Sequence, residues 1–376
     1  MTSPQRSAMT LIELLIVVTI SALLLGITVP LMKPALDDSR IREASRQVNT
    51  QFLIAEARAA EIGRTVAVWI ERTPGATTPT GQNIAQQLYL AESPPPYTGD
   101  FLNSRAIANP AGNTPYLIHF DSPAYTNPIT GAPFNAAASA TLPALVKTGD
   151  AIKFDYKGAN YIITSVSPLG NVPAWVTLSS APPADFAGRP MPYQISRQPV
   201  KSMLPPLQLA GNVCIDLDYS GMELYRDSIM ASQQVFRLGT TVHYLGREFA
   251  ARTSAPSIGS QPVLIGFSPR GGLDFVSVGG VARPATGTVH LLLGQSDKVG
   301  EVWAESTNPL PYSAGDNTSV TYGTNLVDPS NLWVSIGHRN GSVTSSENAW
   351  ELSSYFLNSF LLAREFAITA QSKGGR

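Results

Sequence analysis

The sequence predicts an α+β protein: a long N-terminal helix packed on an antiparallel β-sheet head, with an inserted β-rich segment and a C-terminal helix. Three observations carry that expectation. Residues 9–30, MTLIELLIVVTISALLLGITVP, are apolar apart from Glu13 and a few hydroxyls. Residues 31–63 turn amphipathic at helical spacing, and most of the remaining chain alternates in short runs broken by glycine and proline. Gly and Pro number 30 each among 376 residues while charged residues make up 14%, a balance suited to loop-rich β structure.

At 1.5 Å per residue, Met9 to Val29 makes a helix of about 30 Å, enough to cross a bilayer. A charged side chain is costly at the centre of such a helix and cheaper near its end. Glu13 sits near the end, so it reads either as a functional intramembrane acid or as an anchor residue in the headgroup layer. Beyond Pro30 and Pro34, Ile41, Ala44, Val48, Phe52, Ala55, Ala59 and Ile62 recur at three- and four-residue steps, with charges mostly between them. This predicts a helix that continues the apolar one, bends at the prolines (Pro30 first) and ends at Gly63.

A first strand is expected over Thr65–Glu71. From Thr73 to Pro206, which holds about twenty of the thirty prolines, loops and short strands dominate. Within it Ile152–Tyr156 and Tyr161–Val166 flank a Lys-Gly-Ala-Asn turn and read as a β-hairpin, with Trp175–Ser179 a third strand. Strand rhythm then returns at Asn212–Asp218, Thr241–Leu245, Val263–Ser268, Leu273–Val278, Thr288–Gly294 and Leu332–His338. The tail, with Trp350, Leu352, Phe356, Phe360, Ala363, Phe366 and Ala367 on one face, predicts a helix docked on the sheet, interrupted by Arg364 and Glu365. The expected divisions are a leader 1–8, a helix 9–63, a first strand with its β insertion 64–203, a β head 204–346 and a C-terminal helix 347–376.

Ala8-Met9-Thr10-Leu11-Ile12-Glu13-Leu14-Leu15 resembles the processing motif of type IV prepilins and type II secretion pseudopilins, with alanine at position 8 where glycine is usual. A small residue stands before the apolar run, whereas a secretory signal carries its cleavage site after it. The resemblance implies a pilin-like fold and cleavage by a prepilin peptidase between Ala8 and Met9, followed by methylation of Met9. It also implies that Glu13 pairs with the N-terminal amine of a neighbouring subunit, since two buried charges are tolerable as a pair. LPPLQLAGNVCIDLDYSG, IGFSPRGGLDFVSV, HLLLG and WVSIGHRNGSVTS resemble the head of GspH/FimT-like minor pseudopilins. There Phe267-Ser268-Pro269-Arg270-Gly271 and the hairpin Ile336 to Val343 would close the domain, with Gly271 and Gly341 at positive φ. The implied partners are the peptidase, other pilins and pseudopilins, the inner membrane and its assembly platform. The alternatives are a pilus minor pilin for adhesion or DNA uptake and a membrane-anchored periplasmic enzyme.

Lys33, Arg40, Arg42 and Arg46 follow the apolar run, against Arg6 before it, which by charge alone favours a cytoplasmic head. The motif implies a periplasmic one. A net charge of −1 gives no basic surface for nucleic acid. The single cysteine, Cys214, lies in an alternating run and reads as a buried structural thiol. His119, His243, His290 and His338 are far apart, and no nucleophile elbow, phosphate loop, dinucleotide fingerprint or oxygen-rich calcium loop is present. No cofactor, metal or catalytic activity is therefore expected.

Overall fold

The computed structural model describes residues 11–102, 104–108, 116–120, 141–170, 174–186, 188–222, 235–238, 241–244, 249–251, 261–299, 324–349 and 363–369, with side chains 25–35, 79, 184 and 235–244 excepted. The expected leader 1–8, Met9 and the tail residues Trp350, Leu352, Phe356 and Phe360 lie outside this set.

The first described element is α1, Leu11–Ile62, a single helix of 52 residues that continues through Pro30 and Pro34. Gly63 ends it at φ +64°, the left-handed position that a glycine adopts without a β-carbon penalty. The strands follow as β1 Val66–Glu71, β2 Ile84–Ala85, β3 Gln87–Glu92, β4 Ala106–Ala108, β5 Leu117–Phe120, β6 Ala151–Phe154, β7 Tyr161–Val166 and β8 Trp175–Leu178. Next come β9 Pro190–Met191, β10 Tyr193–Ser196, β11 Val200–Lys201, β12 Leu207–Gln208, β13 Val213–Met222, β14 Val235–Leu238 and β15 Thr241–Tyr244. The last are β16 Val263–Phe267, β17 Leu273–Val278, β18 Val281–Pro284, β19 Val289–Gln295, β20 Leu332–Ile336 and β21 Val343–Glu347. Short helices α2 Pro79–Gln82 and α3 Leu142–Leu145 interrupt them, and α4 covers 363–369.

Two antiparallel sheets flank α1. The first has the order β11-β3-β1-β16-β17-β18, with β12 also on β3; the second runs β2-β13-β19-β20-β21. Ile41, Ala44, Val48, Phe52, Ala55 and Ala59 of α1 are buried together with Val66, Val68 and Ile70 of β1, Ile265 and Phe267 of β16, Ile215 of β13, Leu291 of β19 and Val334 of β20. The stripe at 3.6-residue spacing thus meets sheet faces at two-residue spacing, and all three layers share one core. The Phe52 and Phe267 rings lie 6.1 Å apart at its centre. Three strands of the head, β2, β3 and β11, come from within the stretch that composition assigns to the insertion.

The insertion is itself a β-barrel. Its sheet runs β10-β6-β7-β8-β5-β4-β9, and every pairing in it is antiparallel. The end strands β9 and β10 are separated in the chain by Pro192 alone. One bent segment therefore closes both edges, pairing with β4 before the proline and with β6 after it. Closure leaves no open edge, and side chains fill the interior. Ile118, Phe120, Ile152, Phe154, Ile163, Val176, Tyr193 and Ile195 make a second core, with Phe120 set edge-on to Tyr193 at 4.7 Å. The barrel is entered and left side by side, because Tyr97 and Ile195 exchange backbone hydrogen bonds of 2.9 and 2.8 Å.

Candidate functional site

The residues singled out by the N-terminal motif lie on or just before α1, and the helix changes character along its length. Over Leu11–Leu24 its whole circumference is exposed. Leu11, Ile12, Leu14, Leu15, Ile16, Val17, Val18, Ile20, Leu23 and Leu24 show between 49% and 84% of their surface. Thr19, a polar residue in this sleeve, turns its hydroxyl back to the carbonyls of Leu15 and Ile16 at 2.9 Å each, so it presents less polarity outward. Glu13 stands exposed in the first helical turn, where the positive end of the helix dipole favours an anion.

From residue 36 upward the helix has an inner and an outer face. The outer face carries ion pairs one turn apart: Asp37–Arg40 at 3.2 Å, Glu43–Arg46 at 3.5 Å and Arg58–Glu61 at 2.9 Å. These are solvent-exposed and contribute little stability each. The head also grips the helix through polar contacts that frame the core. Ser45 and Asn49 reach Ser345 of β21 at 2.6 and 2.8 Å, and Arg58 reaches Glu92 of β3 at 3.1 Å. Gly271 and Gly341 adopt φ of +80° and +66°, and both turns abut the Glu56 carboxylate.

Among the described residues, no helix is long and apolar enough to cross a membrane. The span expected over 9–30 falls partly outside those residues, as do Ala8, Met9 and the side chain of Pro30. At that proline the backbone remains helical.

The titratable groups are dispersed, and among the described residues no cluster of three His, Cys, Asp or Glu could hold a metal ion. His119 lies in the barrel, His243 in β15, His290 in β19 and His338 in the turn after β20. Cys214 is buried in β13, and burial pushes its thiol well above the ordinary range. Asp216 and Asp218 are structural: Asn325 donates to Asp216 at 2.9 Å and Asn83 to Asp218 at 3.5 Å.

Arg364, expected to interrupt an apolar face, is instead buried against the outer side of the second sheet. It donates to the carbonyls of Tyr219 and Met222 at 2.9 Å each, and its guanidinium stacks 5.5 Å above the Trp333 ring. Phe366, placed by the same periodicity on the docking face, is 48% exposed. The acceptors explain the exchange. They lie at and just beyond the register shift in β13, between Asp216 and Gly221, whose carbonyls need a donor.

No curated protein and no solved structure matches the chain. Residues 4–29 match the family model of the prokaryotic N-terminal methylation motif. That match takes in Ala8, Met9, Glu13 and most of the apolar run, so the chain carries a prepilin-type methylation motif at its N-terminus.

Proposed function

We propose that this protein is a minor pseudopilin, GspH/FimT-like, that acts by assembly rather than by turnover. A prepilin peptidase cuts between Ala8 and Met9, and the new N-terminus is methylated. The precursor waits in the inner membrane with its head in the periplasm. The apolar helix then passes, on the assembly platform, from lipid into a filament core with other pilins. The observation that carries this reading is the helix sleeve Leu11–Leu24, exposed all round and headed by Glu13, within the matched motif. A surface of that kind is stable in lipid or among like helices, where packing and charge register choose the partner. The turn at Gly271 and the closing hairpin at Gly341, both seated on Glu56, support the GspH/FimT-like assignment of the head.

The inserted barrel supports the minor role, since a head enlarged in this way is hard to repeat densely along a filament. It also favours, as a second reading, a pilus minor pilin in which the barrel is the adhesive part. Mass spectrometry of the membrane-extracted protein tests the proposal. A chain that begins at methylated Met9 is expected, and one that retains Met1 to Ala8 in cells with active peptidase overturns it.

A further inference from the structure

The outer face of the second sheet holds a buried histidine with an unfilled hydrogen-bonding position. His290 on β19 is wholly buried, its Nδ1 2.9 Å from the Ser335 hydroxyl on β20, and its Nε2 has no partner among the described residues. Trp333 stands edge-on to it at 6.3 Å. Over this face lies α4, whose Ala363 and Ala367 pack with Tyr219, Leu292, Leu326 and Trp333. Arg364 of the same helix brings a guanidinium that acts on His290 as a like charge once the ring is protonated.

We propose that His290 makes α4 a proton-released latch: neutral, it lets the helix lie on the sheet, and protonated, it expels it. A neutral imidazole with an empty Nε2 is tolerated in this apolar setting. An imidazolium would bury a second positive charge beside Arg364 and leave an N–H donor without an acceptor. Among the described residues, the other ionisable groups of these elements are placed elsewhere. Asp216 and Asp218 on β13 are engaged by Asn325 and Asn83, and Glu365 points outward from α4. Burial first and the Arg364 charge second hold His290 well below its ordinary range.

The sign follows. The neutral form belongs to the closed state, so closure is full above about pH 6.5, the ordinary histidine value, and weakens as pH falls below it. Each pH unit below that value, until the closed-state value is reached, raises the open fraction up to about tenfold. Opening exposes Trp333, Leu292 and Tyr219 to solvent.

Hydrogen–deuterium exchange on the full chain tests this at pH 7.5 and 5.0, corrected for the intrinsic pH dependence of exchange. Amides of 363–369 are expected to exchange about tenfold faster or more at pH 5.0, while those of β19 and β20 stay protected. His290→Leu, which cannot be protonated, is expected to abolish the acid response. An unchanged wild-type rate at pH 5.0, or an equal response in His290→Leu, overturns the proposal. Should His290→Leu fail to fold, the imidazole titration followed by NMR decides: a transition at or above about pH 6.5 overturns it.

Discussion

The Glu56 carboxylate of α1 lies against Gly341 of the closing hairpin, its Oε1 2.8 Å from where a β-carbon on that glycine would stand. The backbone nitrogen of Gly272 is 3.2 Å from the same point. Gly341→Ala therefore combines a strained positive φ with a collision against both helix and turn. A loss of about 1–3 kcal/mol in urea unfolding is expected. Gly271→Ala meets Glu56 at 3.6 Å and carries backbone strain alone, so it should cost less. Equal losses for the two would contradict the assigned packing.

The core prediction is sharper. Phe52 is fully buried and meets Phe267, while its neighbour Leu53 is 50% exposed. Phe52→Ala should lower stability by about 3–5 kcal/mol, and Leu53→Ala by roughly 0.5 kcal/mol or less. Chemical denaturation of the two variants side by side checks which face of the helix is held.

The proposed role of Glu13 lies in assembly and not in folding. It is exposed and remote from the head core, so Glu13→Val should leave the head's melting temperature and membrane insertion unchanged. Incorporation into filaments should fall about tenfold or more, as expected when one member of a buried charge pair is removed. Co-purification of variant and wild type with sheared filaments at equal yield would refute the assigned role.

Tyr97 gives the barrel an alkaline limit. Its hydroxyl donates to Asp100 at 2.9 Å, and burial is the main cause raising its ionisation above the ordinary phenol range. The neutral form belongs to the folded state. Its stabilisation is thus complete below about pH 10 and lost as pH rises further. Tyr97→Phe should remove that part of the alkaline loss, at a cost of about 1 kcal/mol at neutral pH for the hydrogen bond. Melting curves from pH 8 to 11 for both proteins read the difference.

How much of this was legible in the sequence depends on the range of the interaction. The α1 stripe Ile41 to Ala59 could be read because helical spacing is local, and the strand at Val66–Glu71 because alternation is local. Gly271 and Gly341 could be assigned to turns, but their common seat on Glu56 could not, since helix and turns are far apart in the chain. Barrel closure was hidden for the same reason. Three of its strands were visible as alternating runs, whereas β4, β9 and β10 are short, rich in small residues or broken by Pro192. Arg364 shows the strongest reversal: periodicity treats it as an interruption, yet carbonyls at a β13 irregularity, distant in sequence, draw it inward. The role proposed for Glu13 rests on its fixed distance from Ala8 and Met9 in the sequence, not on a tertiary contact.

The adjacency of Tyr97 and Ile195 has a practical corollary. Everything threaded between those two positions starts and finishes at a single doorway in the head, and its Gly149 also packs close to Gly280 in the β17–β18 turn. A foreign module grafted there would need two ends that meet and a surface that fits beside Gly280.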